Sequence, residues 1–171
     1  MTHPFPFSCY FPSFLYEGIP AYGGLYHSTG QLVSFQTVNT PVQLRMDSPM
    51  PLKNVIASNN TLIVEQDGDY EINFNILLNI SSSATMTVAV RQNMVPIPAA
   101  SGTQILSTND SGTSFNGHLI ASSIVRLNAH DVLDLTLSPA SPIPPGFTAT
   151  ANRGINTSLS IKKLIGGFFF L

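Results

Sequence analysis

Apolar and polar side chains alternate along much of the chain in short runs. The clearest run puts Tyr70, Ile72, Phe74, Ile76 and Leu78 on one face and Glu71, Asn73, Asn75 and Asn79 on the other. A period of two lines every apolar group along one side of a pleated ribbon, which predicts a strand and excludes a helix. Gln66-Asp67-Gly68-Asp69 reads as the turn before it, with residues 61–64 as the partner strand. After the polar turn Ser81-Ser82-Ser83, residues 85–91 predict a strand with Met86, Val88 and Val90 inward. Asn93-Met94-Val95-Pro96-Ile97-Pro98 reads as a turn into a proline-interrupted edge strand. Residues 102–114, rich in Ser, Thr, Asn and Gly, predict a loop with a short strand at 104–107.

The longest predicted strand, 115–127, carries apolar residues on both faces: Leu119, Ala121 and Val125 on one, Ile120 and Ile124 on the other. Residues 132–137 alternate again, and the prolines of 139–146 mark a surface loop. The last strand, 157–165, sets Leu159, Ile161 and Ile165 against Ser158, Ser160 and Lys162. No stretch has a helical period, and no internal repeat is visible. The expected fold class is all-β, a two-sheet antiparallel sandwich over residues 21–165. Residues 1–20 alternate Pro4, Pro6, Pro12 and Pro20 with Phe5, Phe7, Tyr10, Phe11, Phe14 and Tyr16, which favours extended chain. Two readings of this arm stand: it lies on a surface, its own or a neighbour's, or it is a tail without a partner. Residues 166–171 form an apolar C-terminal tail.

Charge sharpens this picture. Only 9% of the 171 residues are charged, against roughly 25% in an average soluble domain. The 43% hydrophobic share can build a core, so the chain is not a disordered tail. Seven Lys+Arg against nine Asp+Glu, a net charge of −2, exclude a basic surface for nucleic acid. The outer face of a lone sheet needs Lys and Glu for solubility and to blunt its edges. Strands 115–127 and 157–165 offer chiefly Ser, Thr and apolar groups instead, so one face is expected to pack on the partner sheet and the other on another subunit. Tyr22 and Tyr26 share a strand face; subunit packing accounts for them better than a sugar-stacking platform. The expected subunit-interface residues are therefore Tyr22, Tyr26, Phe115, Leu119, Ile120, Ile124, Leu159 and Ile161.

Reactive groups are sparse. Cys9 stands alone, so neither an internal disulfide nor a multi-cysteine zinc site is available; an inert thiol and an intermolecular bridge are its two readings. His3, His27, His118 and His130 lack metal-ligand spacing. Glu65, Asp67, Asp69 and Glu71 straddle a turn that could offer oxygens to calcium, but without EF-hand spacing they read as a solvated hairpin. There is no nucleophile elbow, phosphate loop or Cys–His pair. No catalytic, metal or cofactor site is expected. The Asn-x-Ser/Thr matches at Asn59, Asn79, Asn109 and Asn156 read as accidents of composition. The N-terminus lacks the pattern of a secretory signal, and no apolar run reaches the ~20 residues of a membrane helix.

Five segments, in order, resemble the complement/tumour-necrosis-factor-like jelly roll, and in particular its bacterial branch, the C-terminal domain of the Bacillus collagen-like exosporium protein. Ala21-Tyr22-Gly23-Gly24-Leu25-Tyr26 is similar to the opening strand, and Gly68-Asp69-Tyr70-Glu71-Ile72-Asn73-Phe74 to the Gly-x-Tyr core strand. Residues 93–98 resemble the hairpin with its proline-bearing edge, 127–135 the turn before a leucine-rich strand, and 155–164 the closing strand. The resemblance implies a ten-stranded jelly roll in a homotrimer about a three-fold axis. It also implies a structural or interaction module of the spore's outer layer, partnered by other surface-layer proteins and not an enzyme. Such layers are assembled from the mother-cell cytoplasm, which fits the missing secretory signal. Two features depart from the pattern: a Phe/Pro arm stands where members carry a collagen stalk, and His130 takes the place of a turn glycine. Three alternatives remain open. One is a receptor- or glycan-binding module presenting loops 101–114 and 139–153; another is a phage or viral surface protein. The third is a cupin-type enzyme, which needs convergent histidines with a carboxylate.

Overall fold

In the computed structural model, residues 21–107, 116–152 and 154–164 are described, the side chains of Asn116 and Ile155 excepted. The arm 1–20, the tail 166–171, Phe115 and Ile165 lie outside the described residues. The described residues form thirteen strands in the order β1 Tyr22–His27, β2 Gln31–Ser34, β3 Val42–Gln43, β4 Ser48–Pro49, β5 Val55–Ser58, β6 Thr61–Val64, β7 Gly68–Ile80, β8 Ala84–Gln92, β9 Val95–Leu106, β10 Asn116–Leu127, β11 Val132–Pro139, β12 Thr148–Ala151 and β13 Gly154–Lys163. They build two antiparallel sheets face to face, a jelly-roll sandwich.

β7 organises the first sheet. One edge pairs with β10 from Gly68↔Leu127 to Asn79↔Asn116. The other edge pairs with β13 from Tyr70↔Lys163 to Ile76↔Thr157, then with β12 at Leu78 to Ile80. β1 and β4 extend this sheet beyond β13, and β2 extends it beyond β12. The second sheet runs β5-β6-β11-β8-β9, with β3 beside β11. Tyr70, Ile72, Phe74, Ile76, Leu78 and Ile80 point between the sheets and meet Leu62, Val64, Met86, Val88, Val90, Leu133, Leu135 and Leu137. Phe35 and Phe147 close one end, ring centroids 5.9 Å apart.

Several expectations change. Residues 61–64 do form a strand, but β6 pairs with β5 and β11 in the opposite sheet, so it is not the partner of β7. Alternation identifies a strand without naming its neighbour; here Glu65–Asp67 carry the chain across the sandwich, and the Tyr70 hydroxyl donates to the Gln66 carbonyl at 2.8 Å. The carboxylates of this segment are consequently not a hairpin. Residues 102–106, read as loop around a short strand, continue β9, which pairs with β8 from Val95 to Leu106 across a bulge near Ala89–Arg91. Pro96 and Pro98 are tolerated because β9 is an edge strand. The closing strand begins at Gly154 rather than 157. Thirteen strands replace the ten implied by resemblance, because β3 and β4, of two residues each, and the four-residue β2, β5 and β12 are too short to leave a periodic signal.

The turns explain two sequence oddities. Asn93 and Met94 both have positive φ, 51° and 70°, as a two-residue type I′ hairpin requires. His130 has φ 72°, so the turn that resembles a Gly-bearing one keeps the left-handed conformation without glycine. The strain is offset by bonds around it: Asp131 N–H to the Asn128 carbonyl at 3.1 Å, and His130 N–H to the Val64 carbonyl at 2.7 Å. His130→Gly should therefore raise the unfolding free energy by about 1 kcal/mol, with unchanged secondary structure. Denaturant unfolding checks it; a lower midpoint for the glycine variant contradicts the strain.

Candidate interaction face

Because β7 alternates, the residues between its core positions face outward and set the midline of an exposed face. Pairing extends that midline across the sheet in rows. Tyr26, Ser158, Asn75 and Ile120 form one row, and Gly24, Ser160, Asn73 and Ser122 the next. Tyr22, Lys162, Glu71 and Ile124 form a third. With strands about 4.8 Å apart, the tyrosines of β1 and the isoleucines of β10 stand some 14 Å from each other on a shared plane. Ile120 is 65% exposed and Ile124 66%, whereas both tyrosines are half-buried.

Four of the expected interface residues, Tyr22, Tyr26, Ile120 and Ile124, thus share one outer face. Leu119, Leu159 and Ile161 are buried at 5%, 0% and 2% exposure inside the chain's own core, so their packing is consumed there. Sequence parity had already separated Leu119 from Ile120; what it lacked was the rule that a core position is unavailable to a neighbour. Phe115 lies outside the described residues.

The face carries little net charge. Lys162 sits directly across from Glu71, and the Arg126 guanidinium lies 3.3 Å from Asp69, so opposite charges neighbour each other at one end. Towards the other end come the neutral rows of Asn73 and Asn75, then Leu77 opposite His118. The His118 Nε2 is within hydrogen-bonding distance of the Asn75 side-chain oxygen. Gly24 stands between the two tyrosines because a Cβ there would meet the Met50 sulfur at 2.6 Å and the Leu159 carbonyl at 3.0 Å.

Elsewhere, charges are tied into the scaffold. Arg91 grips Asp134 through Nε at 2.8 Å and through its terminal nitrogen, and Gln43 adds a bond at 3.0 Å. The Asp134 bond raises the Arg91 pKa further. Burial opposes ionisation of Asp131, but the Asn128 N–H and the Asn93 and Gln92 amides outweigh it and hold its pKa down. These clasps fix the base of the β8–β9 hairpin, whose tip displays Met94, 76% exposed, and Val95, 66% exposed. Asp47 is held at about 2, first by the Ser28 N–H at 3.1 Å, with the Ser28 and Ser48 hydroxyls and the imidazole of buried His27 assisting against partial burial.

The turn carboxylates disperse: Asp67 accepts the Ala129 N–H, Asp69 pairs with Arg126, and Glu71 takes the Ser122 hydroxyl at 3.4 Å. Among the described residues no three His, Cys, Asp or Glu side chains converge as metal ligands. Two surface clefts, of about 430 and 330 Å³, are lined by Ser34, Phe35, Ile143 and Phe147 and by Met46, Asp47, Ser58 and Asn60 respectively; neither brings two titratable groups together. Among the described residues no helix is long and apolar enough to cross a membrane.

Comparison with known proteins adds the fold. A scan against models of protein families finds no match, and a search of curated proteins finds none either. Among solved structures, Eiger TNF from S. frugiperda is similar with a TM-score of 0.59 and 15% identity, over 86% of this chain and 95% of that one. At this identity the likeness establishes the architecture: a TNF-like jelly roll. It gives no support to the bacterial exosporium branch in particular.

Two predictions follow from the clasps. Arg91→Met, which leaves the 8%-exposed Asp134 carboxylate uncompensated, should cost about 3 kcal/mol, largely recovered by adding Asp134→Leu; an unchanged denaturation midpoint for the single variant contradicts the clasp. Because the Asp47 pKa is depressed from its ordinary 3.8, its stabilisation is complete above about pH 4 and is lost as pH falls through about 2. Asp47→Asn should be less stable than the parent at pH 5, with the gap closing by pH 2 in chemical-denaturation midpoints.

Proposed function

We propose that the chain is a non-enzymatic interaction module that self-associates as a homotrimer through the outer face of the β7 sheet, and that it serves in a surface layer, the spore outer layer being the setting its bacterial resemblance suggests. One observation carries the assembly reading: Tyr22, Tyr26, Ile120 and Ile124 lie on one nearly neutral plane whose centre is Gly, Ser and Asn. Covering the two isoleucines alone would contribute about 2–4 kcal/mol per copy. A stable interface needs roughly 800 Å² from each partner, an area a sheet of this size can present. Charges of opposite sign paired within the face leave it without a net field, so a different surface of the neighbouring copy, as a three-fold ring requires, can cover it without like-charge repulsion. The TNF-like fold supports a part in interaction rather than catalysis.

A second reading, a receptor- or glycan-binding module, is favoured by the Met94–Val95 tip, an apolar pair raised on a rigidly clasped hairpin. The two are compatible, since the tip belongs to the other sheet. Sedimentation at micromolar concentration should give a mass of three chains. Ile120→Lys with Ile124→Lys should reduce it to one chain while the circular dichroism spectrum persists; a parent that sediments as one chain contradicts the proposal. For the setting, an antibody to the chain should label intact spores of the source, and labelling confined to vegetative cells contradicts it. A Met94→Ser variant that still retains every ligand found on receptor or glycan screens would rule out the tip.

A further inference from the structure

His118 stands on the same face, and its surroundings differ from those of the charged groups there. It projects outward from β10, directly opposite Leu77 and one row from the Asn75–Ile120 pair. Its Nε2 engages the Asn75 side-chain oxygen. A neutral imidazole satisfies that contact by donating one N–H and keeps its other nitrogen as an acceptor. An imidazolium adds a full charge that needs water or a carboxylate nearby. The carboxylates of this face are Glu71 and Asp69, six and eight residues along β7 from Leu77 and so about 20 Å or more away. Each already has a cation beside it, Lys162 opposite Glu71 and Arg126 bonded to Asp69.

The other elements bring no counter-charge among the described residues. β9 and β12 contain no titratable side chain, β13 offers Lys162 and Lys163, β1 offers Tyr22 and Tyr26 outward, and β10 itself offers Arg126. Covered by another copy, a protonated His118 would be desolvated beside Leu77 and Ile120 with no carboxylate of the described face in reach.

We propose that His118 makes assembly through the β7-sheet face pH-sensitive: the copies associate when the imidazole is neutral and separate as it is protonated. This inference rests on the assembly reading above. Imidazoles ordinarily change charge between about pH 5 and 8, well above the window in which Asp47 titrates. Association that excludes the proton from three copies weakens steeply with acid, because each copy must release its proton to join.

The test is sedimentation velocity over a concentration series at pH 8.0 and 5.0, on the parent chain and on His118→Gln, whose amide can still donate to Asn75. Circular dichroism at both pH values monitors the fold. The concentration at half-assembly should rise about tenfold or more for the parent between pH 8.0 and 5.0. It should stay nearly constant for His118→Gln, although His27 and His130 remain. A parent that assembles equally at both pH values overturns the switch and leaves the assembly reading intact. So does a His118→Gln variant with the parent's pH dependence. A parent that is a single chain at both pH values overturns the assembly reading, and the switch with it.

Discussion

The pleat of β7 is the constraint on which the remainder of the molecule depends. Its thirteen residues pair on both edges, so the strand can neither slide nor rotate without breaking two ladders. A slip of one residue would turn Tyr70, Ile72, Phe74 and Ile76 into water and bring Glu71, Asn73 and Asn75 into the core. That cost fixes the register of β10 and β13, and through β13 that of β1. The outer face is a consequence of the same register, since whatever alternates with a core residue must point the other way.

Neutrality of that face has two effects. It lowers the solubility of an isolated copy, because Ser, Asn and Ile do little to repel a neighbouring sheet. It also removes the desolvation penalty that a row of unpaired charges would impose on association. Glu71 with Lys162 and Asp69 with Arg126 occupy one end only, so the face has a charged end and an uncharged end. The exposed apolar hairpin tip, clasped through Asp131 and the Arg91–Asp134 pair, belongs to the opposite sheet and stays free for another contact.

Much of this was legible in the sequence. The period of two at Tyr70–Leu78 named the central strand, and the parity of Leu119 and Ile120 already placed them on opposite faces. The positive φ at His130 was not, because a histidine in a glycine's place leaves the geometry of the turn open. Strand partners were not legible, because pairing is a property of two segments and alternation of one; the placement of β6 in the sheet opposite β7 is the clearest instance. Residues 102–106 were hidden by their Ser, Gly and Thr content, which reads as loop although an edge strand accepts it. On the candidate face, apolar character alone could not tell Leu159 and Ile161, which fill the chain's own core, from Ile120 and Ile124, which do not. His118 was visible only as an unpaired metal candidate, since its neighbours Leu77 and Asn75 come from a strand some forty residues away.

The central claim is that copies of this chain cover the outer face of the β7 sheet. The most direct measurement is thiol alkylation of Ser122→Cys, in the middle of that face, in a Cys9→Ser background. The account predicts slow alkylation at high protein concentration and fast alkylation on dilution, as the copies part. An alkylation rate equal to that of a free thiol at every concentration would contradict it.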